Sequence, residues 1–169
     1  MTPEQSRSTE IVQLAAFRVG AEEYVVDIMR VREIIRPQAV TRIRKGPRFV
    51  EGVINLRGAV VPIVDLRRRF DLPAEDHPHR KIIILSVDGR MVGLVVDGVT
   101  EVVRVPKDSM RPAPDLLSED QAPYFLGVCH HRGRTLVLLN VRNVVASDEA
   151  IPLPTVGETS EQQGARGER

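Results

Sequence analysis

One pattern occurs twice in this chain and decides how it folds. Residues 52–66 have the sequence GVINLRGAVVPIVDL, and residues 127–141 have the sequence GVCHHRGRTLVLLNV in the same register. A second stretch also recurs: residues 17–36 align with residues 85–104, and both stretches end in an arginine. Repeats of this length indicate a duplicated supersecondary unit, so the chain consists of two copies of one small structure.

Each copy has the composition of short β-strands joined by tight turns. Residues 22–28 and 90–96 are rich in β-branched and apolar side chains, which favour strands. The pair Asp88-Gly89 before the second run accepts the positive φ angles of a primed hairpin turn. Arg57-Gly58 and Arg132-Gly133 separate two apolar runs in the same way. Many short strands with frequent turns predict an all-β protein made of small barrels.

Local signals add detail to this prediction. Pro62 cannot donate to a sheet ladder, which predicts an edge strand or a bulge at that position. Residues 47–50, 66–70 and 141–145 are each compatible with one or two helical turns. The run Arg67-Arg68-Arg69 is expected to form a solvated face after a strand.

Each copy is expected to be only marginally stable by itself. A unit of about 60 residues buries only ~60% of its chain's surface and gains stability by packing against a second unit. We therefore expect two barrels, residues 15–70 and 82–145, with Arg57 superposed on Arg132 and a ligand-binding seam between them. Three polar segments are expected to be mobile or disordered: residues 1–10, the linker 71–81 and the tail 148–169.

Composition limits the functional classes. The net charge is +1, which gives no bulk attraction to nucleic acid or acidic lipid. The single cysteine, Cys129, allows no internal disulfide and fits a reducing compartment. Residues 1–10 lack the apolar region of a secretory signal, and no apolar run reaches the ~18–20 residues of a membrane span. These features predict a cytoplasmic protein without direct membrane insertion.

The sequence offers few residues for chemistry. No glycine-rich phosphate loop or serine-centred elbow is present. The triplet Cys129-His130-His131 could be a metal or thiol site, but alternate strand residues face opposite sides and do not converge on one ion. Asp65 and Asp97 could be paired carboxylates, although each lies at a strand end where turn capping is the simpler role. We therefore expect no catalytic site and no bound metal.

The basic residues 42–48 could bind nucleic acid. Single-strand binding also needs aromatic platforms for stacking, and Phe49 is the only aromatic residue near this run. A solvated loop or a charge patch that faces another protein is the alternative, and we expect no nucleic acid partner.

Three segments together resemble the CheW family of bacterial chemotaxis coupling proteins. They are residues 50–67 (VEGVINLRGAVVPIVDLR), residues 24–34 (YVVDIMRVREI) and residues 92–99 (VGLVVDGV), followed by Arg111-Pro112-Ala113-Pro114. The Asn-Leu-Arg-Gly block is the most specific part. The resemblance extends from about residue 15 to residue 145, within a domain at residues 11–147. It implies two pseudo-symmetric SH3-like five-stranded β-barrel subdomains.

The resemblance also implies a function and its residues. It implies a non-catalytic adaptor in a two-component signal transduction system, a scaffold that binds the cytoplasmic tip of methyl-accepting receptors and the regulatory domain of the CheA histidine kinase. It places the protein beneath membrane receptor arrays and implies no cofactor. Val99 adds to an apolar groove for the helical receptor tip. The receptor-binding residues expected are Val31, Glu33, Ile34, Gly52, Arg57 and Val99, and Leu116 is expected at a kinase contact.

Several alternatives stay open. Arg57 could instead brace the loops of the neighbouring barrel, and Val31 and Ile34 could be core residues rather than groove residues. The family resemblance also fits a detached regulatory domain, although no receiver domain follows residue 147 here. From another class, the chain could be a small-ligand or oligonucleotide-binding β-barrel protein.

Overall fold

The structure of the protein is a computed structural model that describes residues 10–113 and 120–146. Short strands account for most of these residues, as the repeated β-branched runs predict. The strands of the first copy are β1 (Ile11–Val19), β2 (Glu22–Asp27), β3 (Val31–Ile35), β4 (Val50–Leu56) and β5 (Ala59–Asp65). Those of the second copy are β6 (Lys81–Val87), β7 (Arg90–Val96), β8 (Gly98–Pro106), β9 (Phe125–His131) and β10 (Arg134–Leu139). A short helix follows each copy, α1 (Leu66–Arg69) and α2 (Val141–Val145).

Within the described residues, these strands form two five-stranded sheets with equivalent topologies. The first sheet has the order β8-β1-β2-β10-β9, and the second has the order β3-β6-β7-β5-β4. Replacing every strand by its counterpart in the other copy converts one order into the other. The duplication inferred from the sequence is therefore present in the topology, with an approximate twofold relation between the sheets.

The two copies are not separate barrels, and the expected boundaries at residues 15–70 and 82–145 are wrong in this respect. Each sheet takes two strands from one copy and three from the other, because the chain changes sheets between β2 and β3 and again between β7 and β8. Parallel ladders between β2 and β10 and between β5 and β7 join the copies within each sheet. This exchange makes each small sheet depend on both copies, which is how two marginal units gain stability together.

Among the described residues, an isolated bridge closes each sheet. In the second sheet β3 and β4 are the edges, and the segment after β3 returns to β4 through a pairing of Thr41 with Val53. The equivalent pairing of Arg111 with Val128 joins the segment after β8 to β9 in the first sheet. Pairing both edges leaves fewer unsatisfied backbone groups and gives each five-stranded sheet the form of an SH3-like barrel.

Alternate strand residues face two different cores, as the strand period requires. In β1, Ala15 and Phe17 belong to a large apolar cluster shared by both sheets, whereas Leu14 and Ala16 belong to a smaller cluster of the first sheet. The second sheet has its own small cluster around Ile63. The shared cluster is the seam of the molecule and contains most of its aromatic rings.

Local geometry also repeats between the copies. Arg57 and Arg132 both have φ 50°, and the glycine that follows each has a positive φ, so both turns are of the primed hairpin type. Helices form at two of the three expected places, whereas residues 47–50 contain a turn and the start of β4. Pro62 is not on an edge strand. Pro62 lies in β5 and pairs with Val53 of β4. The ladder between β5 and β7 begins one residue later, at Ile63.

In the described part of the chain, no helix has both the length and the apolar character needed to span a membrane. The two helices are single short turns of four and five residues.

Candidate functional site

Two of the expected receptor-binding residues contact each other on the surface of the second sheet. Glu33 lies on the edge strand β3, and Arg57 lies in the turn between β4 and β5. The Arg57 guanidinium donates a hydrogen bond to the Glu33 carboxylate and forms an ion pair with it. The Arg57 side chain remains 72% exposed. The pair therefore presents a guanidinium with free donors to solvent, which suits it to recognise a carbonyl or carboxylate of a partner.

The turn that presents Arg57 is fixed by a residue whose role the sequence interpretation missed. The Asn55 side-chain oxygen accepts a hydrogen bond of 2.9 Å from the backbone N–H of Gly58. Asparagine commonly stabilises turns by such side-chain bonds to its own backbone. The signal was present in the sequence, because Asn55 stands three residues before the turn glycine.

Gly52 forms part of the same region from inside. It is buried, and a Cβ atom on this residue would lie 2.1 Å from the carbonyl oxygen of Thr41. Only glycine at this position therefore lets the backbone of Thr41 approach β4 closely enough to pair with Val53. Gly127 repeats the arrangement in the other sheet, where a Cβ would lie 2.4 Å from the Arg111 carbonyl oxygen.

The expected apolar groove residues occupy different environments. Val31 and Val99 lie near the start of the equivalent strands β3 and β8, and both are half-buried against the shared core cluster. Ile34 points outward and is 43% exposed. Val31 is therefore partly a core residue, whereas Ile34 is available to a partner. Leu116, the expected kinase contact, lies outside the described residues.

The seam contains a buried ion pair that the sequence interpretation did not anticipate. Arg67 donates from Nε and from a terminal nitrogen to the two carboxylate oxygens of Asp97, at 2.9 Å and 2.7 Å. Both side chains are less than a tenth exposed. Asp97 also accepts a 2.7 Å hydrogen bond from the backbone N–H of Gly20. The expectation of a solvated face is wrong for Arg67. Asp97 does more than cap a turn, because it joins α1 to the turn between β1 and β2 of the first sheet.

The environment of this pair fixes its charge state. Burial alone raises the pKa of Asp97, but the hydrogen bonds from Arg67 and Gly20 outweigh it and hold that pKa below its usual range. The hydrogen bond to Asp97 raises the pKa of Arg67 further above its ordinary value. Asp65, in contrast, has the predicted capping role, because its side chain accepts from the Arg67 backbone N–H at the start of α1.

Arg67 also holds the linker between the copies. It donates to the Pro73 carbonyl oxygen at 2.8 Å and lies 2.8 Å from the His77 ring nitrogen Nε2. Glu75 completes this group with an ion pair to Arg67 at 3.4 Å. The linker expected to be mobile at residues 71–81 is therefore anchored to the seam, and the Arg67 guanidinium contacts three of its residues.

A second arginine of the same helix joins the ends of the two copies. The Arg69 guanidinium lies 3.8 Å from the centroid of the Phe49 ring and 4.6 Å from that of Tyr124. It donates to the carbonyl oxygens of Asn143 and Ala146 at the end of α2. Cation–π contacts of this kind and carbonyl bonds at a helix end both favour arginine. Arg67 and Arg69 each join parts of the two copies, whereas Arg57 pairs with Glu33 within the second sheet.

The Cys129-His130-His131 triplet alternates across β9 as expected. Cys129 is fully buried, and this burial raises the pKa of its thiol, whereas His130 is exposed. The described residues contain no group of three or more possible metal ligands. This triplet does not assemble into a chemical site in the described structure.

The aromatic residues are unavailable for base stacking. The chain has four Phe and two Tyr, all within the described ranges. Phe17, Tyr24, Phe49, Phe70 and Phe125 are all buried. Burial, with a lesser contribution from Glu22, raises the pKa of Tyr24 to about 12. Tyr124 is half-buried and packs against Phe70. The seam therefore uses the rings that a single-strand binding surface would expose.

Known proteins share this architecture and sequence. The family model described as a CheW-like domain matches residues 13–149. The chemotaxis protein CheW of Rhizobium meliloti is 41% identical, over 81% of this chain and 89% of the relative. That of Klebsiella aerogenes is 36% identical, over 85% of this chain and 87% of the relative.

A solved structure extends the comparison to three dimensions. The scaffolding protein TtCheW of Thermoanaerobacter tengcongensis superposes with a TM-score of 0.78 at 28% identity, covering 86% of this chain and all of that one. Sequence and structure thus agree over nearly all of the two-sheet body. The chain belongs to the CheW-like family of chemotaxis scaffolding proteins.

Proposed function

We propose that this protein is a non-catalytic adaptor that couples methyl-accepting chemotaxis receptors to the CheA histidine kinase. The observation that carries the proposal is the match of the family over residues 13–149, which includes the strands and turns of both sheets. The adaptor works in the cytoplasm, at the membrane receptor arrays, and needs no cofactor.

The receptor-binding surface is centred on the Glu33–Arg57 pair. Its features support recognition of a helical hairpin tip. Ile34 offers exposed apolar area beside the pair, and Arg57 offers donors for a carbonyl or carboxylate of the receptor. Val31 and Val99 set the apolar floor from their half-buried positions, and Gly52 fixes the wall by its contact with Thr41. Glu33 orients the guanidinium, and the kinase contact includes Leu116.

The chain contains a matched control for testing Arg57. Arg132 occupies the equivalent turn with the same φ of 50°, is exposed, and forms no ion pair with any described residue. Substituting either arginine removes the same atoms from the same type of turn. Only the Arg57 change removes the ion pair with Glu33.

The experiment compares Arg57→Ala with Arg132→Ala in arrays reconstituted from receptor, kinase and this protein. The measurement is receptor-stimulated phosphorylation of the kinase, with thermal melting of each variant beside it. We expect Arg57→Ala to melt normally but to lose roughly tenfold or more of the coupling affinity, as an interface arginine worth ~2 kcal/mol requires. Arg132→Ala is expected to retain stimulation. Equal stimulation by both variants would remove Arg57 from the receptor surface.

A second class of function has less support. A small-ligand or oligonucleotide-binding barrel would need a stacking surface or an apolar cavity. The aromatic rings pack in the seam instead, and the cavity beside Arg67 is lined largely by charged residues such as Glu51, Asp65 and Arg80. A binding assay with single-stranded oligonucleotides at physiological salt distinguishes this class from the adaptor.

A further inference from the structure

The contacts that join the two copies can equally be made between two chains. The first copy pairs with the second through four ladders, between β1 and β8, β2 and β10, β3 and β6, and β5 and β7. The chain itself passes from one copy to the other once, along residues 71–80, which lie between α1 and β6. Each copy therefore depends on the other for its sheets, whereas only this linker requires the two to belong to one molecule.

The linker is exposed and long enough to reach another molecule. None of residues 71–80 is buried. Fully extended, the chain from Phe70 to Lys81 spans about 35 Å. A folded body of this size has a radius of gyration of only about 14 Å. A straightened linker can therefore carry the second copy away from the first copy of its own chain.

In the structure the linker is folded back, and Arg67 holds its middle. The Arg67 guanidinium donates to the Pro73 carbonyl oxygen at 2.8 Å, and it lies 3.4 Å from the Glu75 carboxylate and 2.8 Å from the His77 ring nitrogen Nε2. These three contacts exist only while the linker stays beside α1. The bidentate pair with Asp97 differs, because Asp97 belongs to the second copy and can meet Arg67 from the same chain or from another.

The contacts at the two ends of the linker do not depend on its path. Leu72 packs against the shared core cluster only two residues after Phe70, which is itself buried in that cluster. At the other end, the Arg80 guanidinium lies 3.6 Å from the Asp65 carboxylate. That pair joins the entry of the second copy to the first copy, whichever chain supplies it. The middle of the linker therefore distinguishes a closed chain from an exchanged one.

We propose that residues 71–80 are a hinge through which two molecules exchange their second copies, and that the contacts of Arg67 with this linker are the latch that keeps the chain closed. The partner is a second copy of this chain, and the product is a dimer with two complete bodies. Within one chain the linker holds the second copy at a millimolar effective concentration, and the latch adds to this preference for the closed form. A protein that the closed chain binds once is bound twice by the dimer. The proposal does not depend on receptor coupling.

The test uses a pair of cysteines that reports which chain supplies each copy. Gln13 in β1 and Arg104 in β8 lie opposite each other in a ladder between the copies, and both are exposed. Opposed residues of antiparallel strands have Cα atoms about 4.5–5.5 Å apart, a distance that a disulfide spans. Gln13→Cys with Arg104→Cys therefore links a closed chain to itself, but links the two chains of an exchanged dimer to each other. A non-reducing denaturing gel separates the two products, and Gln13→Cys alone corrects for disulfides formed by chance.

Two double variants are compared on this cysteine background, and each removes one carboxylate and one imidazole from the linker. Glu75→Ala with His77→Ala removes two contacts of the latch and leaves the buried ion pair of Arg67 intact. Asp76→Ala with His79→Ala is the matched control, because neither residue forms a hydrogen bond or an ion pair with Arg67 in the described structure.

Each protein is unfolded in urea, refolded under reducing conditions at about 1 mM, and then oxidised. This concentration matches the effective concentration that the linker provides. Cys129 is fully buried at the oxidation step. We expect a minority of covalent dimer from the cysteine parent and about three times as much from the latch variant, the ratio that the loss of a partly exposed ion pair supplies. The control variant is expected to match the parent.

Three results contradict the proposal. The linker is not a hinge if neither the parent nor the latch variant gives a covalent dimer. Equal amounts of covalent dimer from the latch variant and the control show that the contacts with Arg67 do not keep the chain closed. Dimers that light scattering detects before denaturation, but that run as single chains on the gel, are pairs of closed chains rather than exchanged ones.

Discussion

Two arginine–carboxylate pairs of this protein have the same chemistry and opposite environments. Arg67 and Asp97 are both less than a tenth exposed, and the bidentate pair joins a helix, a linker and the start of a sheet. Arg57 is 72% exposed, and among the described residues its side chain pairs with Glu33. When one partner of a buried pair is removed, the remaining charge is held away from water at a large cost in free energy. When one partner of an exposed pair is removed, water solvates the remaining charge. The comparison teaches that burial, rather than residue type, separates an arginine that braces this fold from one that is free to bind a partner.

The comparison is tested most severely by Arg67→Ala. This change leaves Asp97 buried without its cation and releases the linker at Pro73 and His77. We expect the free energy of unfolding to fall by about 3–5 kcal/mol. Urea unfolding followed by circular dichroism measures it. The double change Arg67→Met with Asp97→Leu should recover part of the loss because no isolated charge remains, and a double variant less stable than Arg67→Ala would contradict this account of the pair.

The next largest effect on stability is expected at the glycines beside the two bridges that close the sheets. Gly52→Ala places a methyl group against the Thr41 carbonyl and must displace the bridge that closes the second sheet. We expect a loss of about 1–3 kcal/mol in unfolding free energy, as for other overpacked sites. Gly127→Ala is the matched change in the first sheet and should cost a similar amount. If Gly52→Ala weakens receptor coupling without any loss of stability, the glycine acts at the interface rather than in the barrel.

The buried pair also predicts how stability depends on acid. The pKa of Asp97 is depressed in the folded state, so its contribution is present above the unfolded pKa of about 3.9 and is lost as pH falls through the lower folded pKa. Unfolding free energies measured between about pH 6 and about pH 2 should therefore decrease with acid. The decrease should be smaller in Asp97→Asn, which has no carboxylate to protonate. Identical slopes in both proteins would show that other carboxylates dominate.

The smallest effect on stability is expected at the exposed pair. Arg57→Ala should change the unfolding free energy by less than about 0.5 kcal/mol, as exposed substitutions usually do. Arg132→Ala, in the equivalent turn, should behave alike in this measurement. A thermal melt that falls for Arg57→Ala and not for Arg132→Ala would mean that the Glu33 contact braces the barrel, against the contrast drawn above.

The sequence predicted much of the fold because the duplication is written in the order of apolar residues and turns. The strands, the primed turns at Arg57 and Arg132 and the capping role of Asp65 all follow from local patterns. Local patterns are readable because their interactions span only a few residues. The same patterns predicted an edge strand or a bulge for the strand of Pro62. β5 is an inner strand, but its ladder with β7 begins only at Ile63 and its ladder with β4 is irregular between Val50 and Gly52, and both features depend on pairing between segments.

The candidate site was predicted in part. The resemblance to the CheW family named Glu33 and Arg57 separately, and the structure brings them into contact. Composition gave no sign that Arg67 would differ from its neighbours, because three consecutive arginines look alike as a charged run. Arg68 is half exposed to solvent, Arg67 is buried, and Arg69 stacks on aromatic rings from both copies. Only the partners across the seam distinguish them.

The sequence by itself determined that this protein is a duplicated all-β unit of the CheW type, since strand period, turn residues and repeat register are properties of neighbouring residues. Only the tertiary structure decided which strands share a sheet. Equivalent strands of the two copies have similar faces, so pairing within a copy and pairing between copies are equally compatible with the sequence pattern. The exchange is settled by packing around the shared core, where Arg67 binds Asp97 from the other copy and the aromatic rings meet.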